Sequence, residues 1–336
     1  MRISFFLFLL LSLAAVPVHA QAAAPSPSSG LPSSGAVAAW GDCGGCLERV
    51  EWERSIADYR LVMLSALRGP AAEEAADHAA PAPILRQRFE LRQGGQIMLV
   101  IEDRWLDPAR RPDLRLPPPG TDVAGTGRPQ VVLLGWSGDG ECCYTLHVIE
   151  LGALPRILAR VATHDGVPRL VQRDADPDFE IIVEDPTYAS WAAASDMTAQ
   201  PRVVLKFDPQ AERFRFAAAQ MRRPPPPAAR LEAEARLLLE GMRQDQSGPG
   251  SALAAEQYAN LPPRLVRTML KLIYTGNYPM ARLFLDEAWS DDYGVRRDAF
   301  LKDLMECQLP RSPYWVDIAT MNGLTPQAPR ADCAAP

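Results

Sequence analysis

Short runs of alternating or continuous apolar residues, separated by turn residues, extend from Leu85 to about Phe216. Arg86–Leu91 and Gln96–Ile101 flank the pair Gly94-Gly95, and this pattern predicts a β-hairpin. The other predicted strands are Gln130–Leu134, Tyr144–Glu150, Arg156–Val161, Phe179–Val183, Arg202–Phe207 and Arg213–Phe216. No helix long enough to connect parallel strands is expected between them. The pattern therefore predicts an antiparallel β-meander, arranged like propeller blades or as a sandwich.

The segment before these strands has a different spacing. Its apolar residues recur every three or four positions, as they do on one face of a helix. They are Trp52, Ile56, Tyr59, Met63 and Leu67. We therefore expect a helix near 46–67 at the start of a β domain that covers 41–218.

A Pro-rich segment, residues 219–228, follows the predicted strands. Its four consecutive prolines, Pro224–Pro227, favour a stiff polyproline II linker. Beyond it, apolar residues have helical spacing, and Pro262-Pro263 is a favourable helix start. The expected helices are marked by Leu231, Ala235, Leu238 and Met242; by Leu265, Met269 and Leu272; by Ala281, Phe284, Leu285 and Ala288; and by Phe300, Leu304 and Cys307. The sequence thus predicts an α+β chain whose α-helical domain covers 229–336.

Composition and charge exclude several classes of protein. The chain has 336 residues, 47% of them hydrophobic, which provides for a sizeable core and excludes a fully disordered chain. Acidic residues number 41 against 35 basic ones, and the net charge is −6. Because no long basic run occurs, a nucleic-acid partner is not expected.

The first 20 residues have the layout of a secretory signal peptide. Arg2 precedes the apolar run Ile3–Val16, and Val18-His19-Ala20 places small residues before a cleavage site after Ala20. The run is too short to cross a bilayer, and no later stretch is long enough, so stable membrane insertion is not expected. We expect a periplasmic or secreted protein in which residues 21–40 form a flexible leader.

Export would place all the cysteines in an oxidising compartment, which favours structural disulfides. They are Cys43, Cys46, Cys142, Cys143, Cys307 and Cys333. Cys307 lies on the apolar face of a predicted helix and Cys333 in an otherwise unanchored tail, so we expect these two to be bonded. Adjacent strand residues point to opposite sides, so Cys142 and Cys143 should have separate partners, Cys43 or Cys46 among them. The Cys43-Gly44-Gly45-Cys46 motif leaves open a thioredoxin-like redox pair or a zinc site, although no strand is expected before it.

Residues 121–132 resemble an FG-GAP (VCBS-type) repeat. In that family a turn that reads approximately D-x-[ND]-G-D-G-x-x-[DE] binds calcium before a strand of a β-propeller blade. Asp122, Gly125 and Gly127 match the motif, whereas Ala124, Thr126 and Gln130 depart from it. Because these departures remove expected ligands, calcium is not expected at this copy.

A second turn, residues 172–180, resembles the same motif. Its acidic residues are Asp174, Asp176, Asp178 and Glu180. Carboxylates this close repel one another unless they are solvated or neutralised by a cation such as Ca²⁺. Gln172, Ala175 and Pro177 replace the first aspartate and the two glycines of the motif. A calcium site and a solvated acidic turn are both open, and no other cofactor is expected.

The segment Gly276-Asn277-Tyr278-Pro279-Met280-Ala281, continued to Ala288, resembles the second half of a tetratricopeptide-type hairpin, G-x-Y-x-x-A-x6-A. The resemblance implies a tight turn at Gly276 and close helix packing at Ala281 and Ala288. The first half does not match, and no second copy occurs at the period of the family. A single helical hairpin within a bundle is expected, with a peptide-binding array as the alternative.

No local catalytic motif is present: the sequence lacks H-E-x-x-H, G-x-S-x-G and a P-loop. The carboxylates that could serve a hydrolase are Glu141, Glu184 and Asp185, near the ends of predicted strands. In the same loops, Trp136, Asp139, Tyr188 and Trp191 are expected to form a binding surface. The alternation in its strand predicts that His147 faces solvent.

The sequence as a whole favours an exported, non-enzymatic binding protein of the bacterial envelope, with a protein or glycan ligand. The alternative is a carboxylate-dependent hydrolase acting on envelope polysaccharide. The two differ in one geometric requirement, because a hydrolase needs two of its carboxylates to share a cleft.

Overall fold

The structure is a computed structural model that describes residues 47–67, 84–139, 142–163, 166–173, 176–188, 191, 200–245, 261–290 and 295–333. Within these residues, the strands form three antiparallel sheets of four strands each, and the sheets do not close. Each sheet joins strands that follow one another along the chain. The α+β class and the antiparallel arrangement predicted from the sequence are confirmed.

The strands fall into a first, a central and a third sheet. The first sheet contains β1 (Leu47–Ile56), β2 (Tyr59–Leu67), β3 (Ile84–Gln93) and β4 (Gln96–Asp103). The central sheet contains β5 (Trp105–Asp107), β6 (Gln130–Asp139), β7 (Cys142–Leu151) and β8 (Pro155–Ala162). The third sheet contains β9 (Arg169–Val171), β10 (Glu180–Glu184), β11 (Arg202–Asp208) and β12 (Arg213–Phe216). The predicted hairpin around Gly94 and Gly95 is confirmed as β3–β4.

The segment near 46–67 is a hairpin, β1–β2, and the predicted helix is wrong. Tyr59 and Met63 are four residues apart, and a spacing of four places two side chains on one face of a strand as well as on one face of a helix. Leu61, midway between them, lies in the same core as both, which is the two-residue period of a strand. Since β2 pairs with β1 and with β3, it is an inner strand.

The helices of the described residues are α1 (Ala218–Met221), α2 (Ala228–Asp245), α3 (Pro263–Tyr274), α4 (Tyr278–Ala288), α5 (Arg297–Asp303) and α6 (Trp315–Met321). The predicted helices are confirmed as α2 to α5, and α5 continues into a π-helical turn, Leu304–Gln308. None of the described helices is both long and apolar enough to cross a membrane.

Helices α3 and α4 form a helical hairpin with a tight turn at Gly276. The backbone there has a φ of 77°, which favours glycine. A Cβ atom at this position would lie 3.1 Å from Cγ of Met321, so the turn also packs closely against α6. Ala281 and Ala288 are fully buried on α4.

Two hydrophobic cores lie on the two faces of the central sheet. The core shared with the first sheet includes Met63, Phe89 and Leu133. The core on the other face is continuous through the third sheet into the helices, and Phe216 and Leu231 on either side of the Pro-rich segment both belong to it. The β and α regions are therefore joined by one core.

The C-terminal tail is fixed by a disulfide bond. Cys307 and Cys333 are bonded, with their Cα atoms 5.5 Å apart, and the predicted pairing is confirmed. The Arg330 guanidinium reinforces the attachment, because it contacts the Glu306 carboxylate at 2.7 Å. Cys143 is also disulfide-bonded. The predictions for Cys43 and Cys46 lie outside the described residues.

Candidate functional site

The carboxylate of Asp185 is the centre of a buried hydrogen-bond network. It follows β10, is fully buried, and accepts hydrogen bonds from the hydroxyls of Tyr274 at 2.6 Å and Ser312 at 2.5 Å. Its other oxygen accepts from the backbone and hydroxyl of Thr187. Burial raises the pKa of Tyr274 well above its usual value, so this phenol remains a donor. Asp185 joins the third sheet to α3 and to the segment before α6.

Glu184, the residue before Asp185, points to the opposite side of the strand and lines a cleft. Two of the three predicted catalytic carboxylates, Glu184 and Asp185, are thus separated, one lining the cleft and one in the core. Glu141 lies outside the described residues. Among the described residues that line the cleft, Glu184 is the one carboxylate. The acid and base pair that a hydrolase requires is not assembled from the described candidates.

Tyr188 and Trp191, predicted to line a binding surface, lie in the core instead. The Tyr188 hydroxyl is 2.9 Å from that of Tyr274, and its side chain is fully buried. The Trp191 ring stacks on Phe300 with centroids 5.6 Å apart, and its indole N–H donates to Asp303 at 3.0 Å. Both side chains connect the β region to helices far along the chain.

Trp136 remains at the surface in part. It is in register with Trp105 on β5 and with Tyr144 on β7, so three partly exposed aromatic residues cross the central sheet side by side. Arg111 covers one of them, with its guanidinium carbon 5.5 Å from the centre of the Trp105 ring. Asp139 ends β6, and its side chain lies outside the described part. Trp136 does not line the cleft that contains Glu184.

A lysine ammonium lies among the acidic residues of the second FG-GAP-like turn. The Lys206 Nζ is 2.5 Å from a carboxylate oxygen of Asp176, 3.8 Å from Asp178 and 3.9 Å from Glu180. Glu180 is fully buried and also accepts a hydrogen bond from the Gln220 amide at 2.7 Å. Asp174 lies outside the described residues, and the described part contains no group of carboxylates arranged to hold a metal ion.

Side chains also hold the first FG-GAP-like loop. Asp122 accepts hydrogen bonds from the backbone of Thr126 and Gly127, and the Gln130 side-chain oxygen accepts from two more backbone amides. Glu150, in register with Gln130 on β7, is fully buried. Burial would raise the pKa of Glu150, but hydrogen bonds from Thr126, Arg156 and Arg128 outweigh it and lower the pKa.

His147 on β7 is buried, and the prediction that it faces solvent is wrong. His147 does point away from Leu146 and Val148, but the first sheet covers the face to which it points. Its Nδ1 atom has no hydrogen-bond partner within the described part of the chain. Burial, with a smaller contribution from the charge of Arg160, lowers the pKa of His147 to about 4.

The cleft lies between the third sheet and helix α3 and has a volume of about 670 Å³. Its floor is formed by Ile182, Pro201, Val204 and Met221. Ile182 and Val204 are cross-strand neighbours on the face of the sheet that also carries Glu184. The volume is that of a small-molecule site, and the floor is apolar.

Basic side chains surround this floor. They are Arg173 after β9, Arg202 on β11, Arg223 after α1, and Arg267 and Lys271 on α3. All five are exposed, and none forms an ion pair with a described residue. This holds even for Arg202, which is in register with Glu184. Elsewhere in the described chain many arginines lie within 4 Å of a carboxylate, as Arg60 does with Glu53.

The side-chain amide of Gln200 adds a polar group to the cleft. Its oxygen is buried and has no hydrogen-bond partner among the described residues. Buried polar atoms in proteins are almost always satisfied, so an atom without a partner in a cleft is a feature expected where a ligand binds. Because rotation exchanges the two ends of an amide, Gln200 is able to accept or to donate.

Sequence reasoning missed this cleft because its basic residues come from separate segments of the chain. Only Arg267 and Lys271 carry a local signal, since residues four apart lie on one face of a helix. Comparisons with protein-family models, with curated proteins and with solved structures gave no match for this chain. The resemblances to FG-GAP and tetratricopeptide repeats stay predictions.

Proposed function

We propose that this chain is an exported, non-enzymatic protein of the bacterial envelope that binds an anionic ligand in the cleft between the third sheet and α3. The observation that carries the proposal is the charge of the cleft. Among the described residues, five cationic side chains and one carboxylate line it, and none of these cations has an acidic partner there. Like charges held together destabilise a protein unless solvent or a counter-charge compensates them.

Export is supported by the signal-like sequence of residues 1–20 and is compatible with the Cys307–Cys333 disulfide. A binding role is favoured over hydrolysis because Glu184 is the only one of the described catalytic candidates that lines the cleft. The envelope supplies both carboxylate and phosphate groups, and an arginine guanidinium matches either of them.

Calorimetric titration of the purified, oxidised chain with phosphate, citrate and a neutral polyol tests the proposal. We expect heat of binding for the anions alone, with an affinity that falls as salt concentration rises. Lys271→Glu should weaken anion binding by at least about ten-fold, a loss of 1.4 kcal/mol. Arg230→Glu is the matched control, because Arg230 is exposed on α2 and does not line the cleft. Equal binding by both variants would refute a site in the cleft.

A further inference from the structure

The basic cleft continues along the third sheet into a second, smaller cavity of about 270 Å³. The two cavities share Ile182, Glu184 and Arg202, so they form one groove. The smaller cavity adds Arg169, which is in register with Ile182. Among the described residues, the groove therefore has more basic side chains than the main cleft and still a single carboxylate.

The basic side chains on the two walls form two pairs. The sheet pair is Arg169 on β9 and Arg202 on β11, the strands on either side of β10. Because neighbouring strands lie about 4.8 Å apart, the backbones of these two strands are separated by roughly 10 Å. The helix pair is Arg267 and Lys271, one turn apart on α3. Neither pair includes a residue with an acidic partner among those described.

The groove also has an apolar floor. Ile182 lies on β10, between the two strands that carry the sheet pair, and Val204 and Met221 line the part of the groove that α3 also lines. A ligand that spans the groove would rest an uncharged part of its structure on this floor. The side-chain oxygen of Gln200, which has no hydrogen-bond partner among the described residues, also lines the groove.

We infer that the groove binds a diacid, an extended organic anion with an acidic group at each end, one held by the helix pair and the other by the sheet pair. This inference rests on the proposed function and specifies its ligand class. A single acidic group would neutralise one pair and leave the other uncompensated. When one end is bound, the second end binds as an intramolecular event, which raises the overall affinity without any new kind of contact.

Two homologous series test the inference: α,ω-dicarboxylates from succinate to sebacate, and α,ω-bisphosphonates with the same chains, which distinguish carboxylate from phosphate recognition. Monocarboxylates of matched length provide the reference. In calorimetry at low salt, we expect the affinity of one series to pass through a maximum with chain length. At that maximum, the diacid should bind at least about ten-fold more tightly than the monoacid.

Variants of each pair complete the test. Arg202→Gln and Arg267→Gln should each remove the advantage of the diacid and leave monoacid binding at the other pair. Arg213→Gln is the matched control on the third sheet, since Arg213 is exposed on β12 and does not line the groove. Circular dichroism would establish that the variants remain folded.

The possible results separate the inference from the proposed function. If monoacids and diacids bind equally at every length, two-point recognition is refuted and a single anion site remains. If no anion of either series binds, both the inference and the proposed function are refuted. Loss of the diacid advantage in Arg213→Gln as well would show that general surface charge, not the groove, attracts the ligand.

Discussion

Two ends of one face of the third sheet have opposite electrostatic arrangements. At one end, Lys206 lies within 4 Å of three carboxylates, and the buried Glu180 has further hydrogen bonds from Gln220 and from the backbone of Arg173. At the other end, basic residues surround a cleft in which Glu184 is the one carboxylate of the described part of the chain. The charges at the first end compensate one another within the fold. The basic side chains at the second end have no acidic partner among the described residues. The contrast separates residues that stabilise the protein from residues that we propose bind its ligand.

The largest effect on stability is expected for Asp185, and Glu184, on the other side of the same strand, provides the comparison. Asp185→Ala should lower the free energy of unfolding by about 3–5 kcal/mol, because the hydroxyls of Tyr274, Ser312 and Thr187 lose their buried acceptor. Glu184→Gln, at the neighbouring residue, should change it by less than about 0.5 kcal/mol. Urea unfolding followed by tryptophan fluorescence measures both.

If Asp185→Ala does not fold, Tyr274→Phe provides a milder test. It removes one donor to the network and should cost about 1–2 kcal/mol of unfolding free energy. Equal stability of the Tyr274→Phe variant and the native chain would contradict a stabilising role for this network.

The next effect is the pH dependence of stability that His147 causes, which sets the pH at which the variants should be compared. The pKa of His147 is about 4 in the folded protein against 6.5 ordinarily, so the unfolded chain binds more protons between these values. Stability should be greatest above pH 6.5 and fall as pH decreases toward 4, by on the order of 3 kcal/mol.

His147→Gln removes this titration. Its stability should vary less than that of the native chain between pH 6.5 and pH 4, which unfolding curves at a series of pH values would measure. If the native pH dependence persists in the variant, the carboxylates of the protein cause it. The electrostatic variants are then best compared near pH 7, where His147 is neutral in both states.

A smaller effect on stability is expected when a lysine is removed from each end of the third sheet in turn. Lys206→Met should destabilise the protein by about 2 kcal/mol, because it leaves the buried Glu180 and its acidic neighbours without their ammonium. Lys271→Met, which removes a cation from the cleft, should be neutral or slightly stabilising. Equal losses in the two variants in chemical denaturation would show that the cleft lysine is structural too.

The smallest effect is expected on the affinity of the cleft for an anion. Glu184→Gln removes a carboxylate that would repel an anion in the cleft, so citrate affinity should rise about two- to five-fold in calorimetry. Glu240→Gln, on the exposed side of α2, is the matched control and should leave the affinity unchanged. A lower affinity in Glu184→Gln would mean that Glu184 orients the basic residues.

The sequence predicts helices and strands well where the spacing of the apolar residues fits only one of the two. Strand β11 and helices α2 to α5 follow from local spacing, whereas the four-residue spacing of Tyr59 and Met63 fits a strand and a helix alike. The candidate site is harder to predict from the sequence. Tyr188 lies in the core, where its hydroxyl forms a hydrogen bond with that of Tyr274, a residue 86 positions away in sequence. The cleft joins residues from β9, β11 and α3, and no short window of sequence contains it.

The central sheet has a consequence for how its strands find their pairing. Consecutive residues of β6, Val131 and Val132, lie in different cores, so both faces of the strand are apolar. In most half-exposed strands, a slip by one residue is penalised because it turns apolar side chains to water. Here hydrophobicity gives little preference between the two alignments. The buried pair Gln130 and Glu150 supplies the preference, because the Thr126 hydroxyl accepts a hydrogen bond from Gln130, donates one to Glu150, and so joins the two side chains in this register. Polar side chains thus favour one alignment of two strands that are apolar on both faces.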